Sequence, residues 1–160
     1  MAALYYAVDI GGTKIDCGLV EKSGRIVERT RYSTPKDPHD ASKHIREALM
    51  KMTKEYSITS APPHKIIKSA GIGAAGIKGG PGGGTFMPDV SNMPGWENFD
   101  LKKSLEDLEI PLRFENDADA SVLGAYFHYR KSASRPALLP FFYITASTGV
   151  GGGLIISAPG

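Results

Sequence analysis

Three stretches of this sequence set chemically capable groups close together. The first is Asp9-Ile10-Gly11-Gly12-Thr13-Lys14, which places a carboxylate, two positions without side chains, a hydroxyl and an ammonium within six residues. Glycines let neighbouring backbone N–H groups converge on an anion, and Thr13 and Lys14 can add side-chain donors. Asp9 would repel a phosphate unless a cation stood between them, which suggests Mg²⁺ held directly or through water. An ordinary hairpin turn with a satisfied aspartate uses the same residues. The second stretch, Thr148-Gly149-Val150-Gly151-Gly152, repeats the design between two apolar runs. Two such turns in one chain suit a polyphosphate gripped from two sides. The third is Glu115-Asn116-Asp117-Ala118-Asp119, where a short strand should meet a helix. A carboxylate there sits at a sheet edge and can take the proton of an attacking hydroxyl, a contribution of roughly 10²- to 10⁴-fold in rate. Helix capping is the other use of Asp and Asn at such a junction.

The elements that would position these groups are legible in the apolar pattern. Leu4 to Ile10, Lys14 to Val20 and Arg25 to Tyr32 read as three strands, the last two joined by a turn at Lys22-Ser23-Gly24. A helix follows with Asp40 as its expected N-cap. Its apolar face is Ala41, Ile45, Ala48, Leu49, Met52 and Tyr56. Lys65 to Ile72 predicts a fourth strand, and Gly79 to Gly84 a loop without regular structure. Leu101 to Leu108 suggests a short helix, Leu112 to Glu115 a fifth strand, and Asp117 to Arg130 a further helix. Ser132 to Pro140 reads as a linker. Phe141 to Thr145 and Leu154 to Ile156 read as a hairpin interrupted by Ser147 to Gly153. Three meander strands followed by alternating helices and strands predict a mixed α/β sheet.

Other features exclude functions. Gly71-Ile72-Gly73-Ala74-Ala75-Gly76 matches a dinucleotide fingerprint, but that motif must open a helix, and Gly79-Gly80-Pro81 forbids one. His39, His44, His64 and His128 have no metal-ligand spacing. Cys17, the single cysteine, permits no disulfide within the chain and fits a buried strand in a reducing compartment. Trp96 reads as core. A net charge of +2 on scattered Lys and Arg argues against a nucleic-acid surface. No apolar run reaches the roughly 18 to 20 residues of a membrane span, and no signal peptide is visible, so a cytoplasmic protein is expected.

The order of these motifs resembles the ROK family of sugar kinases and repressors (glucokinase, N-acetylmannosamine kinase and fructokinase types). The stretches that carry the resemblance are Asp9 to Lys14, Gly73-Ala74-Ala75-Gly76-Ile77, Asn92-Met93-Pro94-Gly95-Trp96, Glu115 to Ala120 and Thr148 to Gly152. Ala75 departs from a common proline, Ser147 from a glycine and Ala125 from a glutamate. The resemblance implies a ribonuclease-H-like, actin-like ATPase lobe at residues 1–133, with residues 134–160 as the first hairpin of a C-terminal lobe. It implies ATP and Mg²⁺ as cofactors and a hexose or N-acetylhexosamine as substrate. Asp117 would be the general base, with Asn116, Asn92 and Gly76 contacting the sugar. Gly11, Gly12, Thr13, Lys14, Thr148, Gly149 and Gly151 would cradle the phosphates, and Asp9 would position Mg²⁺, through water.

The family's Gly-Glu-x-Gly-His sugar motif and its zinc-binding cysteine cluster are absent from these residues. The expectation is therefore an ATP-dependent sugar kinase represented by its N-terminal portion, with little activity in this chain alone. A non-catalytic nucleotide-binding or regulatory module on the same fold is the competing reading. With no DNA-binding segment before Tyr5, the repressor branch is disfavoured. Neither nucleic acid nor membrane is an expected partner. Which sugar is used, which phosphoryl donor, and whether the chain is a monomer or a homo-oligomer stay open.

Overall fold

The structure, a computed structural model, describes residues 3–59, 67–76, 78–79, 85–86, 93–132, 138–146 and 150–157. Alternation of side chains builds the first strand, β1 (Leu4–Ile10), which sends Leu4, Tyr6, Val8 and Ile10 to one buried face. β2 (Lys14–Glu21) pairs with it antiparallel and adds Ile15, Cys17 and Leu19 to that face. β3 (Ile26–Ser33) pairs antiparallel with β2 after a turn closed by bonds from Glu21 N–H to Arg25 C=O and from Gly24 N–H to Glu21 C=O. The three-strand meander expected from sequence is present.

Helix α1 (Pro38–Thr59) then packs on β2 and β3. Ala41, Ile45, Leu49 and Met52 are at most 3% exposed, as their spacing predicts, and each large one stabilises the fold by about 1.5–3 kcal/mol through burial. Its start differs from the expectation. Asp37, not Asp40, caps the helix: Asp37 Oδ1 accepts from His39 N–H at 2.8 Å and Asp37 C=O accepts the first helical bond from Ala41 at 3.1 Å. Pro38 takes the first helical position, where its missing N–H costs nothing. The Lys36-Asp37-Pro38 signal lies three residues upstream of Asp40.

β4 (Ile67–Ala74) joins the free side of β1 in parallel and ends two residues beyond the expected Ile72; Lys65 and Ile66 lie outside the described residues. A short β5 (Lys78–Gly79) and β6 (Thr85–Phe86) pair antiparallel. Gly79 therefore belongs to a strand rather than to the loop; residues 80–84 lie outside the described residues. Short helix α2 (Leu101–Ser104) is capped by Asp100, whose Oδ1 accepts from Lys103 N–H, and a 3-10 turn over Glu106–Leu108 follows. β7 (Leu112–Asn116) completes a five-stranded mixed sheet in the order β3-β2-β1-β4-β7. Among the described residues the Gly71 to Gly76 stretch runs through β4 into a turn and is followed by β5, where a dinucleotide fingerprint would open a helix. Trp96 (1% exposed) and Cys17 (1% exposed) are core residues, as read from the sequence.

Helix α3 (Asp117–Ser132) follows β7 directly, and β8 (Phe141–Ala146) pairs antiparallel with β9 (Val150–Ile155). The interruption expected at Ser147 to Gly153 is shorter than read: Gly151, Gly152 and Gly153 pair with Thr145, Ile144 and Tyr143 as full ladder members. The reason is tertiary. A Cβ on Gly153 would stand 2.4 Å from Val122 Cγ1 and 2.8 Å from Val122 Cβ, so the helix can lie on this strand only where the side chain is absent. Val122, Tyr126 and Ile155 form the small core of this unit, with Phe141 and Tyr143 against it. By contacts the chain divides into Met1–Glu115 and Asn116–Gly160. α3, counted with the first lobe in the domain expectation, has its packing partners in the hairpin.

Candidate functional site

Parallel pairing of β1 with β4 brings two of the singled-out stretches to one sheet end. Ile10 is opposite Ala74, so the turn Gly11 to Lys14 and the turn at Ala75-Gly76 both leave the carboxyl ends of neighbouring parallel strands. Open α/β sheets bind ligands in that position. Gly76 has φ of 69°, a left-handed conformation that explains the glycine without any ligand.

Within the first turn, Gly11 N–H donates to Lys14 C=O at 3.0 Å. A Cβ on Gly11 would lie 3.3 Å from that same oxygen, so the close approach favours the bare residue. Gly12, Thr13 and Lys14 are exposed. Asp9 is exposed on the sheet face opposite α1, in register with Gly73 on β4 and Asp16 on β2. Two carboxylates directly opposite on one sheet face repel. The sequence beyond them supplies the compensation. Arg31, opposite Asp16 on β3, donates from Nε to both carboxylate oxygens at 2.9 Å, and Arg29 Nη2 lies 2.8 Å from Oδ1. Burial pushes the Asp16 carboxyl up, but the hydrogen bonds and charges of the two arginines outweigh it and hold it below the ordinary range. Arg31 also feels the charge of Asp9. This Asp9–Asp16–Arg31 row was missed in the sequence; the register of three strands, which no motif prints, assembles it.

One brace of the turn was also missed. Thr34 donates from Oγ1 to Gly11 C=O at 2.6 Å and from its N–H to Thr13 C=O at 3.0 Å.

At the start of α3, Asn116 Oδ1 and Asp117 Oδ1 share the Ala118 N–H, at 3.0 and 2.9 Å. Asn116 thus caps the helix, and Asp117 has one oxygen partly engaged while Oδ2 has no hydrogen-bond partner among the described residues. Of the two uses weighed, capping is met by Asn116, and Asp117 beside it is a half-buried carboxylate. In the same unit a Cβ on Gly151 would stand 3.5 Å from Ala118 Cβ, so β9 starts beside the residue that follows Asp117. Gly151 has a packing role there besides any contact with phosphate. Asn92, Thr148 and Gly149 lie outside the described residues.

His39 and His44 are ring partners of Phe99 and Tyr32, edge to face at 5.0 and 5.7 Å. No helix of the described residues is long and apolar enough to cross a membrane.

Comparison with known proteins agrees with this architecture. The chain is 32% identical over 155 residues to the glucokinase of Streptomyces coelicolor, covering 96% of this chain and 44% of that one. It is 35% identical over 151 residues to the N-acetylmannosamine kinase of Vibrio cholerae, covering 94% of this chain and 47% of that one. It therefore spans less than half the length of these curated relatives. Among solved structures, a ROK family glucokinase from Streptomyces griseus in complex with glucose and AMPPNP superposes with a TM-score of 0.66 at 31% identity, over 96% of this chain and 45% of that one. The fold is the actin-like ATPase α/β fold of these sugar kinases. The sequence profile of the ROK family matches residues 5–158, nearly the whole chain, and the chain belongs to that family.

Proposed function

We propose that this chain carries the phosphate-binding turn and the general base of an ATP-dependent sugar kinase acting on a hexose or N-acetylhexosamine. The observation that carries this is the Asn116–Asp117 pair. The amide caps the helix, so the carboxylate next to it keeps one oxygen for chemistry at the dipole-stabilised N-terminus of α3. Asp117 takes the proton of the attacking sugar hydroxyl, and Asn116 and Asn92, with the backbone at Gly76, orient the ring. The relatives' names support the substrate class, and the AMPPNP in the S. griseus complex supports ATP as donor.

Gly11, Gly12, Thr13 and Lys14 hold the donor phosphates, and Thr148, Gly149 and Gly151 contribute further phosphate contacts. In this reading residues 1–133 form an N-terminal lobe and residues 134–160 open a second, in a cytoplasmic enzyme. Asp9 fits Mg²⁺ through water rather than directly: it is a single exposed carboxylate, and no group of three ligating side chains occurs among the described residues. A hydrated Mg²⁺ held chiefly by the phosphates matches such a donor set, and it would neutralise phosphate charge. Phosphoryl transfer of this kind depends mostly on alignment and charge.

The test is sugar-dependent ADP release from Mg-ATP across glucose, mannose, fructose, N-acetylglucosamine and N-acetylmannosamine, on the full protein that carries this chain. One sugar should stand out, and Asp117→Asn should lower its turnover by about 10²-fold or more while nucleotide binding persists. A fall of less than about tenfold would show that Asp117 is not the base.

A further inference from the structure

We infer that Thr34 is a positioning residue of the phosphate turn, the group that aims its free N–H donors. The inference rests on the reading of Gly11 to Lys14 as a phosphate cradle, and it adds what makes that turn a cradle. A two-residue hairpin turn ordinarily makes a pair of bonds across its mouth. Here Gly11 N–H donates to Lys14 C=O, but among the described residues no return bond runs from Lys14 N–H to Gly11 C=O. Thr34 Oγ1 occupies that carbonyl instead, at 2.6 Å, and Thr34 N–H holds the Thr13 carbonyl at 3.0 Å.

Peptide planarity turns these two contacts into an orientation. In a trans peptide the C=O and the following N–H point in opposite directions. With the Gly11 and Thr13 carbonyls drawn toward Thr34, the N–H groups of Gly12 and Lys14 point away from it. Two backbone N–H groups left without an internal partner in one turn can converge on an anion. In a closed hairpin the Lys14 N–H would be consumed internally. The hydroxyl of Thr34 therefore frees the Lys14 donor and aligns that of Gly12, while the Thr34 amide aligns that of Lys14.

Thr34 is itself held firmly. Residue 35 follows it directly, and Trp96, buried in the core, donates from Nε1 to the Pro35 carbonyl at 3.2 Å. Trp96 thus anchors the segment that braces the turn.

The experiment is calorimetric titration of the chain with Mg-ATP and with inorganic tripolyphosphate, together with amide spectra of Gly12 and Lys14. Thr34→Val keeps the shape and removes the donor; Thr34→Ser keeps the donor. Thr34→Val should weaken binding about tenfold and return the Lys14 amide to a protected state, while Thr34→Ser stays within about twofold of wild type. Equal binding by wild type and Thr34→Val would overturn the inference and leave the cradle standing. No binding by wild type, with unmoved Gly12 and Lys14 amides, would remove the cradle and the inference together. Hydrogen exchange on wild type gives a reading that needs no variant. The Thr34 amide should be protected, and the Gly12 and Lys14 amides should exchange freely until ligand is added. Protection of the latter two without ligand overturns the orientation.

Discussion

Replacing Gly153 by alanine tests the contact that joins α3 to its hairpin. The added Cβ would stand 2.4 Å from Val122 Cγ1, 2.8 Å from Val122 Cβ and 3.2 Å from the Ala118 carbonyl. A rotamer change could move Cγ1 aside, but it cannot move Cβ or a backbone oxygen. The helix must lift by roughly 1 Å to restore ordinary contact, and such a gap forfeits a quarter to a half of the dispersion energy of the atoms it separates. Overpacking of this kind costs about 1–3 kcal/mol. The unit's core is small, Val122, Tyr126 and Ile155, so the loss falls on few contacts.

The helix start carries Asp117, the base in the proposed reaction, and under that proposal a displacement of about 1 Å there lowers turnover by about 10²-fold. The assay is urea denaturation followed separately by methyl resonances of Val122 and Ile155 and by Trp96 emission, which reports the other unit. The Val122 and Ile155 transition should move to lower urea while that of Trp96 holds. Val122→Ala in the same chain should restore only part of the loss, because its Cβ remains. Gly71→Ala is the control: its Cβ meets nothing within 4 Å, so the change should stay within about 0.5 kcal/mol of neutral or be mildly stabilising. A Gly153→Ala chain as stable as wild type, with unshifted α3 resonances, would refute this account of why the strand is glycine.

Other consequences follow from single contacts. Because the Asp16 carboxyl is held below its ordinary range, its ion pairs add stability that is present above the unfolded value of about 3.9 and is lost as pH falls through the folded one. Asp16→Asn should flatten stability against pH in that acid window and cost about 1 kcal/mol at neutral pH, since both arginines are half exposed; an unchanged acid limb refutes it. Cys17 is buried, which pushes its thiol up to about 11, with the charge of Asp16 adding to the rise. At pH 8 iodoacetamide should label the unfolded chain at least about 10²-fold faster than the folded one, and comparable rates would contradict the buried placement. Trp96→Phe strands the Pro35 carbonyl and leaves a void; circular dichroism should record a loss of about 1–3 kcal/mol, and an unmoved midpoint would show that the indole bond does not matter.

Much of the fold follows from local pattern. The run Leu4 to Ile10 alternates, Ala41 to Met52 repeats at helical spacing, and Pro81 after glycines forbids a helix behind the false dinucleotide motif. Each of these is a statement about neighbours within a few residues, and the strand and the helix appear in the structure. The cap at Asp37 was misread because two aspartates flank the helix start and only geometry selects between them. The candidate chemistry was legible for the same local reason: Asp117 beside Asn116, and a carboxylate heading a glycine turn, are contiguous in the chain.

Other features arise from residues far apart in sequence, and only the tertiary structure could decide them. Sheet register sets Asp9 beside Asp16 and Arg31, which lie on three different strands. Thr34 reaches Gly11 across 23 residues, and Trp96 reaches Pro35 across 61. The glycines of β9 looked like a loop because their reason is a helix 30 residues upstream that must lie directly on them. Propensity describes what a residue permits its own backbone to do. It carries no record of which distant side chain will occupy the space that a missing Cβ leaves open, or which hydroxyl will take a carbonyl and so turn an ordinary hairpin into a pair of outward donors.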